Sequence, residues 1–367
     1  MPPARVVVKV GSSSLRAAAG GLDRAFLGAL VAQVSAARAQ GTEVVLVSSG
    51  AVAAGLAPLG FVARPSDLPS LQAAASVGQG ALMHVYQECF ATHGLTSGQV
   101  LLTPEDVVDR SRYLNARNTF ERLLTLGAVP VVNENDTVAT DELRFGDNDR
   151  LAALVASMLD ARLLVLLTDV DGLLDRDPAH AGALVLARVD DLAPWEEHEF
   201  GPSRSDLGRG GMRSKLEAVR IARFSAAHTV IANARRAGVV REVIAGAPVG
   251  TWFPPAPRRP ESRKLWIAFA PQPRGSITVD RGAASALVER GSSLLAVGVV
   301  DAHGDFRAGD PVDVVDPQAR TIARGLVAYS RSEVLELRGR STRELAAGFG
   351  QRFARPVIHR DALVVVT

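Results

Sequence analysis

The sequence predicts an α/β protein: an α/β/α sandwich around a mainly parallel sheet, followed by a small C-terminal β-barrel. Two observations carry this. Over the first 253 residues, short apolar runs bounded by turn residues alternate with longer stretches of helical spacing. Parallel strands need such crossovers, and helices on both faces leave the strands apolar throughout. Near Pro254 the texture changes. FPPAPRRPESRK is rich in proline and arginine, and beyond it the strands are short, alternating and separated by glycine. The expected division is a larger domain over 1–253, a linker over 254–264 and a second domain over 265–367.

Taken in order, RVVVKV (5–10) is a buried strand that ends in the turn GSSS. Helical spacing then runs over 23–40, where Gly41 stops it. TEVVLVSSG is the next strand and closes in a small polar turn. Residues 70–93 read as helix, LTSGQVLLT as strand, PEDVVDRSRYLNARNTFERLL as one helical region and GAVPVVN as strand. DTVATDELRFG (136–146) alternates as a hairpin would. Residues 149–160 form an apolar helix, and ARLLVLLTDVDGLL a long central strand with its turn. A helix over about 211–225 and the strand HTVIAN complete the larger domain. In the smaller one, DPVDVVD and TIARGLVAYS are barrel strands, accompanied by one or two helices. Ligands of such parallel sheets bind beyond the carboxyl ends of the strands, so the chemistry belongs in the turns that follow them.

Composition excludes several classes. Hydrophobic residues at 47% and charged residues at 22% fit a globular protein with a sizeable core, and a net charge of +2 supplies no field for nucleic acid or membrane. MPPARVVVKVG lacks a signal-peptide core and no apolar run reaches the length of a membrane span, so a cytoplasmic protein is expected. Cys89, the single cysteine, permits neither an internal disulfide nor a cysteine-based metal centre; a packed thiol is expected. The seven histidines show no paired spacing and receive no ligand role. Lysine is more informative. Of 41 lysines and arginines only Lys9, Lys215 and Lys264 are lysine, which leaves 38 arginines. Where charge alone matters this chain uses arginine, so a retained lysine points to a site needing a compact ammonium. Two of the three lie beside glycine-rich turns, VVVKVGSSS and GRGGMRSK, while Lys264 has an ordinary surface setting.

Residues 129–149, VPVVNENDTVATDELRFGDND, pass from a buried strand into a cluster of short polar side chains. Three of the chain's six asparagines, Asn133, Asn135 and Asn148, fall here with Asp136, Asp147 and Asp149. Asx turns and a helix cap account for one or two of them; six fit loops that read a ligand. KVGSSS opens backbone N–H groups towards an anion with Lys9 alongside, although the lysine precedes the glycine and the Walker spacing is missing. GRGGM, leading into a helix with Lys215 in its first turns, is a second cradle. VSSG (47–50) and LTDVDG (167–172) are two further polar strand ends. Four such ends, two with rare lysines, favour a phosphorylated ligand. Phosphoryl transfer needs its charge offset and its donor and acceptor oxygens held in line. Two lysines from opposite sides, held by an aspartate, meet that need.

KVGSSSL, VSSGAVAAG, NENDTVAT, GDND-x-LAALVA, LTDVDGL and GGM-x-SK, in this order, resemble the amino-acid kinase family. GSITVDRGAASALVERGSSLLAVGV resembles the opening of a PUA domain, so the resemblance covers the whole chain. In detail it is similar to the members that phosphorylate the side-chain carboxylate of free glutamate in proline synthesis. The resemblance implies ATP as phosphoryl donor, with Mg²⁺ held through its phosphates. It implies that Lys9 and Lys215 neutralise the moving phosphoryl group and that Asp149, or its neighbour Asp147, organises them. Ser49, Asp136 and Asn148 would bind glutamate, with Asn133 and Asp147 beside them. Lys9, Gly11, Ser12, Thr168, Asp169, Gly210, Gly211, Met212 and Lys215 would bind the nucleotide. The nucleophile would be the substrate's own carboxylate. Ser214 stands where the family more often has Thr, keeping the hydroxyl.

The resemblance also implies a homo-oligomer (dimer or tetramer), proline as feedback inhibitor at or beside the glutamate pocket, and a reductase as recipient of a labile product. Rival acceptors within the fold are carbamate, aspartate, acetylglutamate or a nucleoside monophosphate; Asp136 as partner of an α-ammonium favours a free amino acid. A rival of another class is RNA binding through the PUA domain, against which the C-terminal region shows no dense basic stripe.

Overall fold

In a computed structural model the chain forms two compact units, Met1–Arg259 and Pro260–Thr367. The structure describes residues 5–17, 20–138, 148–176, 182–196, 211–256 and 273–366. The expected hairpin past Val138, the linker past Ala256, and Lys264, Asp147 and Gly210 lie outside them.

The first unit is built on a seven-stranded sheet. Its strands are β1 (Arg5–Val10), β2 (Glu43–Ser48), β3 (Ser97–Leu102), β4 (Val129–Glu134), β5 (Leu163–Thr168), β6 (His228–Asn233) and β7 (Thr251–Phe253). The order is β3-β4-β2-β1-β5-β6-β7, with β1 to β6 parallel and β7 antiparallel on the edge. The helices are α1 (Ser12–Leu15), α2 (Arg24–Ala39), α3 (Ala51–Leu56), α4 (Leu68–Ala91), α5 (Pro104–Val108), α6 (Arg110–Thr125), α7 (Asn148–Met158), α8 (Ala193–Glu196), α9 (Met212–Phe224) and α10 (Val239–Ile244).

Alternate strand residues explain the two layers. Val6, Val8 and Val10 of β1 join Leu27 and Val31 of α2, Leu82 and Tyr86 of α4, and Val240 of α10 in one core. Arg5, Val7 and Lys9 point the other way. Arg5 reaches Glu121 of α6 at 2.8 Å and Lys9 reaches Asp149 of α7 at 2.6 Å, so α6 and α7 cover that face. With both faces covered the central strands are mostly apolar, and the buried polar side chains near their carboxyl ends, such as Lys9 and Asn133, mark the site.

Some boundaries differ from expectation for local reasons. α4 starts at Leu68 because Asp67 accepts the Ser70 N–H at 2.9 Å and Pro69 suits a first turn. The region after Thr103 is two helices. Asp109 is extended there, ends α5, and caps α6 by accepting the Arg112 N–H at 2.9 Å. α3 and α4 cross with backbone close to backbone at two glycines. A Cβ on Gly78 would lie 1.8 Å from the Ala51 carbonyl oxygen, and one on Gly55 would lie 1.9 Å from that of Ala74.

The second unit has a five-stranded sheet of β8 (Gly275–Val279), β9 (Val299–Gly304), β10 (Pro311–Val315), β11 (Thr321–Leu326) and β12 (Leu363–Val365). Its order is β12-β11-β10-β8-β9, parallel only between β8 and β10. Among the described residues three helices, Arg281–Arg290, Arg331–Leu337 and Thr342–Gly348, exceed the one or two expected. The extra ones are seven residues each and begin at capping boxes, Ser330 with Glu333 and Ser341 with Glu344, a signal carried by caps rather than by length. Among the described residues no helix is long and apolar enough to cross a membrane.

Candidate active site

Three side chains from β1, α7 and α9 meet beyond the carboxyl edge of the sheet. Asp149, in the first turn of α7, is fully buried. The Lys9 Nζ lies 2.6 Å from its Oδ1 and the Lys215 Nζ 3.1 Å from its Oδ2, with those lysine side chains 4% and 8% exposed. A buried carboxylate persists only when paired and hydrogen-bonded, and a helix N-terminus favours it further. Within this trio two cations face one anion, so the cluster is an attractive place for an anion. Ser214 Oγ donates to the Gly211 carbonyl at 2.9 Å, closing the first turn of α9, and lies 3.4 Å from Asp149 Oδ2. Gly11 follows β1, and Ser12 opens α1. A Cβ at Gly11 would stand 3.8 Å from the Lys9 Nζ, so glycine leaves that approach open.

A chain of carboxamides adjoins the trio. Asn148 Nδ2 donates to the Ser48 carbonyl, the Ser49 hydroxyl and Asn133 Oδ1, each at 2.9 Å. Asn133 Oδ1 also accepts the Glu134 N–H at 2.9 Å, and Asn133 Nδ2 donates to Gln79 Oε1 of α4 at 2.8 Å. A backbone carbonyl can only accept and a backbone N–H only donate, so these contacts fix both amide orientations. Asn148 Oδ1 is thereby left buried with no donor reaching it among the described residues. An unmet buried acceptor costs about 1–3 kcal/mol, which makes this oxygen a natural receptor for a ligand N–H. Asp136 lies in the half-exposed turn after β4.

Behind Ser49, the Ser48 hydroxyl lies 2.9 Å from the buried Tyr86 phenol. Burial pushes that phenol far above its ordinary range, so it remains a neutral partner. Tyr86→Phe is expected to lower stability by about 1–2 kcal/mol, read as a fall in Tm, because the Ser48 hydroxyl loses its buried partner. On the same helix Cys89 is partly buried against the core, and burial raises its thiol, leaving it poorly nucleophilic.

The turn after β5 is braced by neighbouring strands. Thr168 Oγ1 donates to Asp169 Oδ1 at 3.1 Å, Asn233 Nδ2 of β6 donates to Asp171 Oδ1 at 2.9 Å, and the Leu173 N–H donates to Thr251 Oγ1 of β7 at 2.8 Å. A Cβ on Gly172 would meet that Thr251 oxygen at 2.5 Å. Gly211 and Met212 open α9 beside Lys215.

Lys9, Asp149 and Lys215 thus form one cluster, and Ser49, Asn133 and Asn148 another, joined through the neighbours Asn148 and Asp149. Sequence reasoning missed Gln79, Tyr86, Asn233 and Thr251, which sit behind the loops. Only Gln79 carries a signal: it occupies a buried position on α4 between Ala75 and Leu82, where the helical stripe calls for an apolar residue.

Residues 4–233 match the amino acid kinase family and residues 275–349 match the PUA domain. A glutamate 5-kinase of Salinispora arenicola is 53% identical over 363 residues, 99% of this chain and 98% of its own. One from Streptomyces avermitilis is 51% identical over 366 residues, 99% of this chain and 96% of its own. A carbamate kinase of Giardia lamblia bound to AMP-PNP shares the fold, with a TM-score of 0.50 at 15% identity, over 69% of this chain and 99% of that one.

Proposed function

The chain belongs to the amino acid kinase family, and from that premise we propose that it transfers the γ-phosphoryl group of ATP to the side-chain carboxylate of L-glutamate. The product is L-glutamyl 5-phosphate, and the reaction opens proline biosynthesis. The observation that carries this reading is the junction of the Lys9–Asp149–Lys215 trio with the amide chain ending at Asn148. One half suits a phosphate, the other an amino acid, and one peptide bond separates them.

Lys9 and Lys215 approach Asp149 through different oxygens, so the carboxylate holds two ammonium groups at fixed places for the charge that builds on the transferring group. A carboxylate oxygen of glutamate attacks the γ-phosphorus and the bond to the bridging oxygen of ADP breaks. The acceptor is already an anion, so no proton need be removed and no enzyme nucleophile is required. Positioning and charge compensation are the chain's contribution. Gly11, Ser12, Thr168, Asp169, Gly211 and Met212 are assigned to the nucleotide and Ser49, Asn133, Asp136 and Asn148 to glutamate, and the family resemblance alone adds Gly210 to the first set and Asp147 to the second. Asn148 Oδ1 and Asp136 accept from the α-ammonium, which acetylglutamate lacks.

Among the described residues no three His, Cys, Asp or Glu side chains converge as a metal cage. Mg²⁺ fits here as the counter-ion of the ATP phosphates, where it would offset negative charge. Proline carries an α-carboxylate and an ammonium like those of glutamate, which supports inhibition at the same pocket. Assembly as a homo-oligomer, hand-over to a reductase and a cytoplasmic setting follow from the family reading.

The test is ATP turnover with Mg²⁺ and hydroxylamine, comparing glutamate, aspartate and acetylglutamate. Hydroxamate from glutamate alone is the expected result. Hydroxamate from none of the three would overturn carboxylate phosphorylation.

A further inference from the structure

We infer that Gln79, on α4 and outside every turn that faces the ligands, is a positioning residue that sets glutamate affinity by acting through Asn133 and Asn148. The inference rests on the glutamate-binding reading above and deepens it. Gln79 lies on the core stripe of α4 with Ala75, Leu82 and Met83, 9% exposed, where burial of a carboxamide is unfavourable unless it is bonded. Its Oε1 receives Asn133 Nδ2 at 2.8 Å, and Asn133 is itself only 2% exposed.

The amide chain has a direction that cannot reverse. At one end the Glu134 N–H must donate to Asn133 Oδ1; at the other the Ser48 carbonyl must accept from Asn148 Nδ2. Asn133 Nδ2 is therefore committed to an acceptor on α4, and Gln79 supplies it. Without that acceptor, a buried NH₂ is left unmet, and rotation of the Asn133 side chain becomes its escape. Rotation withdraws Asn133 Oδ1 from Asn148 Nδ2, whose two hydrogens are shared among three acceptors, and leaves only the Ser48 carbonyl and the Ser49 hydroxyl to hold the amide, which loosens the aim of Asn148 Oδ1.

The mounting of Gln79 supports this role. Its neighbour Gly78 packs directly on the backbone of α3, the helix that begins two residues after Ser49. Gln79 therefore stands at a fixed height behind the Ser48–Ser49 turn, and its amide is a rigid stop.

The test uses Gln79→Met, which keeps length and removes the acceptor, with Asn133→Ala and the double variant. Hydroxamate formation is measured with glutamate and ATP varied in turn, with glutarate as an acceptor lacking the ammonium, and Tm alongside. Gln79→Met is expected to raise KM for glutamate about tenfold, to leave kcat and KM for ATP within about twofold, and to narrow the preference for glutamate over glutarate. Added to Asn133→Ala it is expected to change the glutamate KM by less than about twofold, because both act through one path. An unchanged glutamate KM in Gln79→Met, full additivity in the double variant, or equal rises in both KM values would overturn the inference. Wild-type protein that forms no hydroxamate would overturn the glutamate reading as well, which separates the two failures.

Discussion

Asp149→Asn is expected to reduce kcat/KM by about 10²–10³-fold and to cost about 3–5 kcal/mol of stability. Both effects come from one geometry. The carboxylate is fully buried and takes an ammonium on each oxygen, Lys9 at 2.6 Å and Lys215 at 3.1 Å. An amide of the same shape leaves two desolvated cations without their counter-charge and presents an NH₂ to one of them. Lys215→Met provides the comparison. Lys9 still faces Asp149 there, so stability should fall less, while the phosphoryl group loses one of its two cations and turnover falls by a similar factor. Hydroxamate assays and thermal melts on both variants check this. Turnover of Asp149→Asn within tenfold of wild type would remove Asp149 as organiser.

Gly78→Ala is expected to cost about 3 kcal/mol or more through overpacking and to lower Tm by roughly 6–12 °C. The added methyl would sit 1.8 Å from the Ala51 carbonyl oxygen and 2.5 Å from the Gly55 nitrogen, both backbone atoms that cannot swing aside. α3 and α4 would have to part, and they carry the Ser49 turn and Gln79 between them, so KM for glutamate should rise along with the loss of stability. Gly80→Ala is the control on the same helix. A Cβ there meets nothing, and the site is exposed, so the substitution is expected to be neutral or to stabilise by about 0.5–1 kcal/mol. Equal melting of the two variants would show that the close crossing contributes nothing.

The parallel strands were legible because both-sided burial writes itself as unbroken apolar runs, as in VVLVS and LLVLLT. Lys9, Asp149 and Lys215 were legible as chemistry because lysine is scarce here and the asparagines and aspartates crowd one stretch. Their convergence was expected from the chemistry and the family resemblance, but not its geometry, one lysine on each oxygen of Asp149, because that depends on where α7 and α9 come to rest on the sheet. The edge strand β7 escaped notice, since three residues are too few for a periodic signal. Asn233 and Thr251 escaped for a related reason: each is ordinary in sequence and gains its role only by lying across from the DVDG turn. Gly55 and Gly78 carry no signal in the sequence that sets them apart, and the close crossing of α3 and α4 accounts for them. The two short helices of the second unit fell below the length at which periodicity speaks.

The scarcity of lysine has a further consequence. An acyl phosphate is an electrophile that acylates amines, so an enzyme releasing one exposes itself to its own product. Lys9 and Lys215, the two lysines proposed to hold the reacting groups, are buried, each engaged by Asp149. Elsewhere the chain carries its positive charge on 38 arginines, with Lys264 the remaining lysine. Guanidinium groups, which stay protonated, are poor nucleophiles towards such mixed anhydrides. Escaping product therefore passes over a surface nearly devoid of targets, and self-inactivation by acylation should be slow even at high turnover.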